Sequence, residues 1–129
     1  MDGKLSELLA QLAEATSCRS GVSVTVNADE QRHLPGDVQV AFYRIAQEAL
    51  HNVSKHSRAK AANVQLSLLS RNASLLVHDD GCGFEYTGIG ETHLGLRIMH
   101  ERTEEVGATI QIESTPGQGT DVLVNWSEK

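Results

Sequence analysis

Residues 63–84 read NVQLSLLSRNASLLVHDDGCGF. Two β-rich runs, 63–69 and 73–79, flank Ser70, Arg71 and Asn72, a polar break of hairpin length. The second run stops at two aspartates and two glycines. From Gly81 to Gly95 the chain carries five glycines and little apolar periodicity, so a loop that touches a ligand or moves is expected there. A hairpin that empties into such a loop needs helices elsewhere to cover its apolar face.

Those helices lie on either side. Upstream, Pro35, Gly36 and Asp37 break the chain, and residues 38–56 then place Phe42, Ile45, Ala46, Ala49 and Val53 on one helical stripe. Earlier still, Val22, Val24 and Val26 alternate with polar neighbours over 21–28, which predicts a half-buried strand. Residues 4–15 place Leu5, Leu8, Leu9 and Leu12 at helical spacing. Downstream, a helix is expected over 95–106, closed by Gly107, then strands over 108–114 and 119–126 around a turn at Thr115, Pro116, Gly117 and Gln118. The order α, β, α, β, β, loop, α, β, β lacks strict βαβ alternation. It favours a two-layer sandwich of helices on a mixed sheet over a doubly wound parallel one.

Composition narrows the function. The chain has 129 residues, enough for one domain with one core, and 17 acidic against 11 basic side chains give a net charge of −6. Bulk attraction to a phosphate backbone is therefore disfavoured, and no nucleic-acid partner is expected. Only Phe42, Phe84, Tyr43, Tyr86 and Trp126 are aromatic, too few for a stacking platform. Cys18 and Cys82 are far apart without metal-ligand spacing, which points to free thiols in a reducing, cytoplasmic setting. No apolar run approaches a membrane span, and MDGKLSELLA lacks the order of a secretory signal. No direct membrane contact is expected, although the chain could still be one piece of a membrane-anchored parent.

Four constellations carry possible chemistry. On the long helix, Glu48, Asn52 and Lys55 fall in one stripe beside the apolar face; Glu48 and Asn52 could hold Mg²⁺ by hard oxygens while Lys55 meets phosphate, or all three could be a solvated helix face. At the strand end, Asp79, Gly81 and Gly83 form D-x-G-x-G, in which glycines let backbone approach a ligand and the carboxylate can accept from an amine such as that of adenine; a plain Asp-Gly turn reads the same way. The third, HLGLRIMHER (93–102), opens a helix whose free N–H groups suit a polyphosphate, with Leu96, Met99 and Val106 facing the core. The last, PGQGT, sets Gly117, Gly119 and Thr120 at the head of a strand. A dinucleotide fingerprint is excluded, since Tyr86 stands where the third glycine belongs, and no G-K-[ST] phosphate loop occurs.

In this order and spacing, E-x-x-x-N-x-x-K, D-x-G-x-G-F, G-L-x-x-M-x-E-R and G-x-G-T resemble the N, G1, G2 and G3 boxes of the Bergerat-type ATP-binding fold of sensor histidine kinases, DNA gyrase B, Hsp90 and MutL. The likeness covers about residues 5–126, and YRIAQEALHNVSKH, DDGCGF and HLGLRIMHERTEEVGA are similar to the catalytic domain of bacterial histidine kinases that partner NarL-type response regulators. The resemblance implies an α+β fold with three helices on a mixed, mostly antiparallel five-stranded sheet, occupying 4–127, with residues 1–3 marking the start of an excised piece.

It also implies ATP and Mg²⁺ as ligands. Asp79 would accept the adenine amine, Gly81 and Gly83 would pass under the base beside Phe84, and Thr120 would join that network through water. Asn52, with Glu48, would ligate Mg²⁺, and Lys55 would meet phosphate oxygens. Glu48 stands where gyrase-like relatives hold a hydrolytic base, and in a kinase it more plausibly positions metal or phosphoryl group. His93, Leu94, Gly95 and Leu96 would offer backbone N–H groups to phosphates, and His56 follows Lys55 as in the subfamily.

The acceptor histidine of such kinases lies on a separate dimerising helical domain, and neither His33 nor His51 resembles one. The expectation is a monomeric domain that binds Mg·ATP, hydrolyses it slowly at most, and supplies the γ-phosphoryl group only to those helices. The alternative within this fold is an ATP-gated protein-binding module or serine kinase of the anti-sigma factor type.

Overall fold

A computed structural model describes residues 4–56, 59–82 and 94–128, with the side chains of Lys55, His56 and Leu94 outside that description. In chain order it contains α1 (Leu5–Ser20), β1 (Ser23–Glu30), α2 (Gly36–His56), β2 (Ala61–Leu68), β3 (Asn72–Asp79), α3 (Leu94–Glu105), β4 (Thr109–Thr115) and β5 (Gly119–Ser127). The strands form one sheet in the order β1-β2-β3-β5-β4, with β1 and β2 parallel and the other three pairs antiparallel. Among the described residues this is the expected architecture of three helices on a mixed five-stranded sheet.

The parallel pair follows from α2. A 21-residue helix between β1 and β2 returns the chain to the end of the sheet where β1 started, whereas the short connections β2–β3 and β4–β5 force antiparallel neighbours. α2 seats Val38, Phe42, Ile45, Ala46, Ala49, Leu50 and Val53 in the core, the expected stripe widened by Val38 and Leu50.

The first helix and strand depart from the sequence reading. α1 runs to Ser20 rather than residue 15, because its polar tail bonds back along the helix: Thr16 Oγ1 donates to Leu12 O at 2.8 Å and Ser20 Oγ to Thr16 O at 2.6 Å. Gly21 closes it at φ +78°, its N–H on Ser17 O. Gly21 is therefore the helix cap, and the strand expected from residue 21 begins at Ser23.

One face of the sheet is covered by helices, and its rungs can be read across the strands. Two middle rungs are aliphatic: Val26–Val64–Val77–Val122–Ile112 and Ala28–Leu66–Leu75–Val124–Ile110. At one end the rung becomes Leu68–Ala73–Trp126. At the other it becomes Val24–Ala62–Asp79–Thr120–Ser114, three polar side chains where the pattern calls for apolar ones. Such a break in alternation at a strand end marks a place built for something other than packing.

Candidate nucleotide site

Asp79 is the last residue of β3 and only 4% exposed. Strand alternation turns its side chain toward the helix layer, and Oδ1 accepts the N–H of Gly81 at 2.8 Å. Burial pushes its pKa above the usual aspartate value, opposed by that N–H and by the charge of His78. A carboxylate has about four lone-pair sites, so the single Gly81 bond leaves room for a donor from a ligand.

Its neighbours in sequence hold the strand end still. Asp80, on the exposed side, accepts the N–H groups of Lys60 at 2.8 Å and Ala61 at 3.1 Å, and these bonds hold its pKa below the usual value. On the open face His78 pairs with Asp121 of β5. Gly81 is buried and Cys82 exposed. Cys82 O accepts the N–H of Gly117, tying the β4–β5 turn to the segment that follows Asp79.

Thr120 sits opposite Asp79 in the β3–β5 register, and Ser114 opposite Thr120 in the β4–β5 register. The two hydroxyls lie 2.8 Å apart. Beside them Gly119 has φ +87°, and a β-carbon built there would come within 2.1 Å of Asp79 O. Only glycine lets β5 approach β3 this closely at the rung of the buried acid.

The second half of the site lies on the helices. Glu48 and Asn52, half-buried on α2, converge on the start of α3: a β-carbon on Gly95 would lie 3.1 Å from Glu48 Oε2 and 3.4 Å from Asn52 Oδ1. Leu94 opens α3, whose first turn contains no acidic residue, so its N-terminal partial charge is not offset from within the helix. Val53, next to Asn52, packs with Ala62, whose partner across the ladder is Asp79. The last turns of α2 thus overlie the polar rung, bringing the acid–amide pair and Asp79 to one end of the sandwich.

Leu96, 4% exposed, and Met99, fully buried, face the core, so Leu96 can meet a ligand only through its backbone. The side chains of Lys55, His56 and Leu94, and all of Gly83, Phe84 and His93, lie outside the described residues. Three participants were missed from sequence: Gly119 as the point of close approach, Ser114, and the brace of Asp80. The hairpin turn 115–119 already implies the pairing of 114 with 120, so Ser114 had a readable signal; the other two depend on backbone geometry. No described helix is long and apolar enough to cross a membrane.

Comparison with known proteins gives this geometry a family. The chain is 31% identical over 125 residues to the sensor histidine kinase LiaS of Bacillus subtilis (strain 168), covering 96% of this chain and 34% of LiaS. It is 38% identical over 100 residues to the sensor histidine kinase YhcY of the same organism, covering 77% of this chain and 24% of YhcY. The chain thus spans about a third or less of these curated relatives. The solved histidine kinase domain of the Erythrobacter litoralis EL346 blue-light activated histidine kinase superposes with a TM-score of 0.79 at 25% identity, over 96% of this chain and 61% of that one. The family described as histidine kinase-, DNA gyrase B-, and HSP90-like ATPase matches residues 37–129. Because that match runs from the start of α2 onward and takes in every strand of the polar rung except β1, the chain belongs to this ATPase family.

Proposed function

We propose that this domain, residues 4–127, binds Mg·ATP and supplies the γ-phosphoryl group to a histidine on a dimerising helical domain outside this chain. The observation that carries the reading is the meeting of Glu48 and Asn52 with Gly95 at the start of α3. A helix N-terminus favours a phosphate, yet the Glu48 carboxylate beside it would repel one. A divalent cation between them reconciles the two charges. Among the described residues no group of three His, Cys, Asp or Glu side chains could hold a metal, so Asn52 and Glu48 would give two oxygens and phosphate and water the rest, the pattern Mg²⁺ prefers. Once bound, Mg²⁺ would neutralise charge on the phosphates.

The remaining roles are carried over from the likeness of the sequence boxes. Asp79 would accept the adenine amine, Thr120 would complete the base contact through water, and Gly81, Gly83 and Phe84 are assigned to the base. Lys55, His56 and the backbone N–H groups of His93, Leu94, Gly95 and Leu96 are assigned to the phosphates. Phosphoryl transfer rests on positioning and charge stabilisation, which these groups supply without a covalent intermediate on the domain. Glu48 orients metal and phosphoryl group.

The likeness to sensor kinases supports a histidine acceptor over the serine of anti-sigma-type kinases, and a NarL-type response regulator is the proposed recipient downstream of the parent kinase. The isolated domain is proposed to be monomeric and to act in the cytoplasm. Titration with ATP, with and without Mg²⁺, tests the site. Saturable binding that strengthens with Mg²⁺ and falls roughly ten- to a hundredfold on Asp79→Asn, the cost of losing a charge-assisted hydrogen bond, is expected. No saturable binding by the parent chain, or unchanged binding by the variant, refutes the adenine assignment. Supplying a helical acceptor domain in trans then separates transfer to histidine from transfer to serine.

A further inference from the structure

We propose that the open face of the sheet is a docking surface for a basic, leucine-striped helix of the parent kinase that lies outside this chain. The inference does not rest on the nucleotide reading, since Asp79 turns its side chain to the other face.

The centre of the open face is apolar. Strand alternation sends Leu76 and Leu123 to the side opposite the core residues Leu75, Val77, Val122 and Val124. The two leucines are direct partners in the β3–β5 register, and both are half-buried. Gln65 of β2 and Gln111 of β4 continue their rung on either side, and both are exposed. Two aliphatic side chains therefore sit together in the middle of the face, framed by amides.

The charges around them have one sign. All 11 Lys and Arg residues fall outside the five strands, so the open face holds none of them. Asp29, Asp121 and Glu113 stand on it, with His78 paired to Asp121. Lysine is a common guard of exposed strands and is depleted where a partner covers the surface.

This pattern selects the occupant. The backbone groups in the middle of a sheet are already paired, so strand addition belongs at an edge, and what covers a face is a helix or a second sheet. A second copy of this face would set acids against acids. A helix with leucines along one side and Lys or Arg flanking them satisfies the apolar centre and the acidic surround together. The eight residues of β3 span about 26 Å, which a helix of about 18 residues covers from end to end. The chain spans about a third or less of the curated relatives it matches, which leaves room in a parent kinase for such a helix.

The first test uses this chain and two synthetic helices of about 18 residues, one with leucines on one side and lysines elsewhere, the other with glutamates for the lysines. NMR is read at the Leu76 and Leu123 methyls and the Gln65 and Gln111 side-chain amides, which lie on this face. The leucine-lysine helix is expected to shift all four saturably, and to bind at least about tenfold more weakly to Leu76→Lys and at about 0.5 M salt. The leucine-glutamate helix is expected to leave them unmoved. Equal shifts from both helices, or shifts confined to other elements, overturn the proposal.

The second test places Gln65→Cys, with Cys18→Ser and Cys82→Ser, in the parent kinase and in this chain. N-ethylmaleimide is expected to label the parent kinase at least about tenfold more slowly, and Leu76→Lys to restore the rate. Equal rates overturn the proposal, and slow labelling of this chain that deepens with its own concentration assigns the face to a second copy and overturns it too. Thermal melts check that each variant is folded, and if Leu76→Lys is not, Glu113→Lys takes its place.

Discussion

The two ends of the covered sheet face use the same strands for opposite purposes. At one end, Leu68, Ala73 and Trp126 make an apolar rung, and Arg32 lies 5.7 Å over the Trp126 ring while its Nη1 donates to Glu128 Oε2 at 2.9 Å and to Ser70 O at 2.8 Å. One side chain ties the segment before α2, the β2–β3 turn and the end of β5. At the other end Ala62, Asp79, Thr120 and Ser114 replace that packing with a buried acid and two hydroxyls. Burying a carboxylate opposes folding unless it is compensated, and Asp79 shows the strain as a raised pKa. The difference teaches that the fold is fastened at the apolar end and left expensive at the end proposed to take the nucleotide.

Substitutions at each end should separate the two roles. Trp126→Ala removes the largest side chain of the apolar end, and a loss of about 3–5 kcal/mol in denaturant unfolding is expected for a core Trp. Nucleotide affinity of the folded fraction should stay within about twofold, since Trp126 lies at the far end of its strand from Thr120. A large loss of affinity at unchanged stability would break the division. Gly119→Ala attacks the other end. A left-handed φ on a residue with a side chain costs about 1–3 kcal/mol, and the new methyl would meet Asp79 O at 2.1 Å, so β5 must shift away from β3. Stability and affinity should then fall together, in contrast to Trp126→Ala, and calorimetric titration beside a melt reads both.

The same contrast governs what was legible in sequence. The aliphatic rungs follow from alternation in NVQLSLL and ASLLVHD and from the stripe of α2, because periodicity reports burial. Polar hydroxyls at the end of α1 read as a break, since sequence does not reveal that Thr16 and Ser20 bond back to carbonyls four residues earlier. Asp79 was legible as a candidate only through the order of the four boxes, since D-x-G-x-G alone reads equally as an Asp-Gly turn. Gly95 was legible as a helix opening but not as the wall against which Glu48 and Asn52 pack, a contact between elements distant in sequence. Gly119 owes its importance to a backbone approach, and no composition rule encodes it.

Asp79 and Asp80 sharpen the comparison within two adjacent residues. Burial raises the pKa of Asp79 above 3.8, so the folded state holds its proton more tightly than the unfolded chain; its stabilising contribution is fullest below 3.8 and is lost as pH rises through the raised value. Backbone N–H groups of Ala61 and Lys60 lower Asp80 below 3.8, so its contribution is present above 3.8 and is lost as pH falls through the lowered value. The two windows fall on opposite sides of 3.8. Unfolding free energy followed across acid pH should therefore lose its slope above 3.8 in Asp79→Asn and below 3.8 in Asp80→Asn. ATP affinity of the parent should weaken as pH drops through the raised pKa of Asp79, because a protonated carboxyl is a poorer acceptor, and Asp80→Asn should keep that dependence. If both variants alter the same window, the two acids share one environment, and the division between an acid kept for the ligand and an acid kept for the fold fails at the position where it should be clearest.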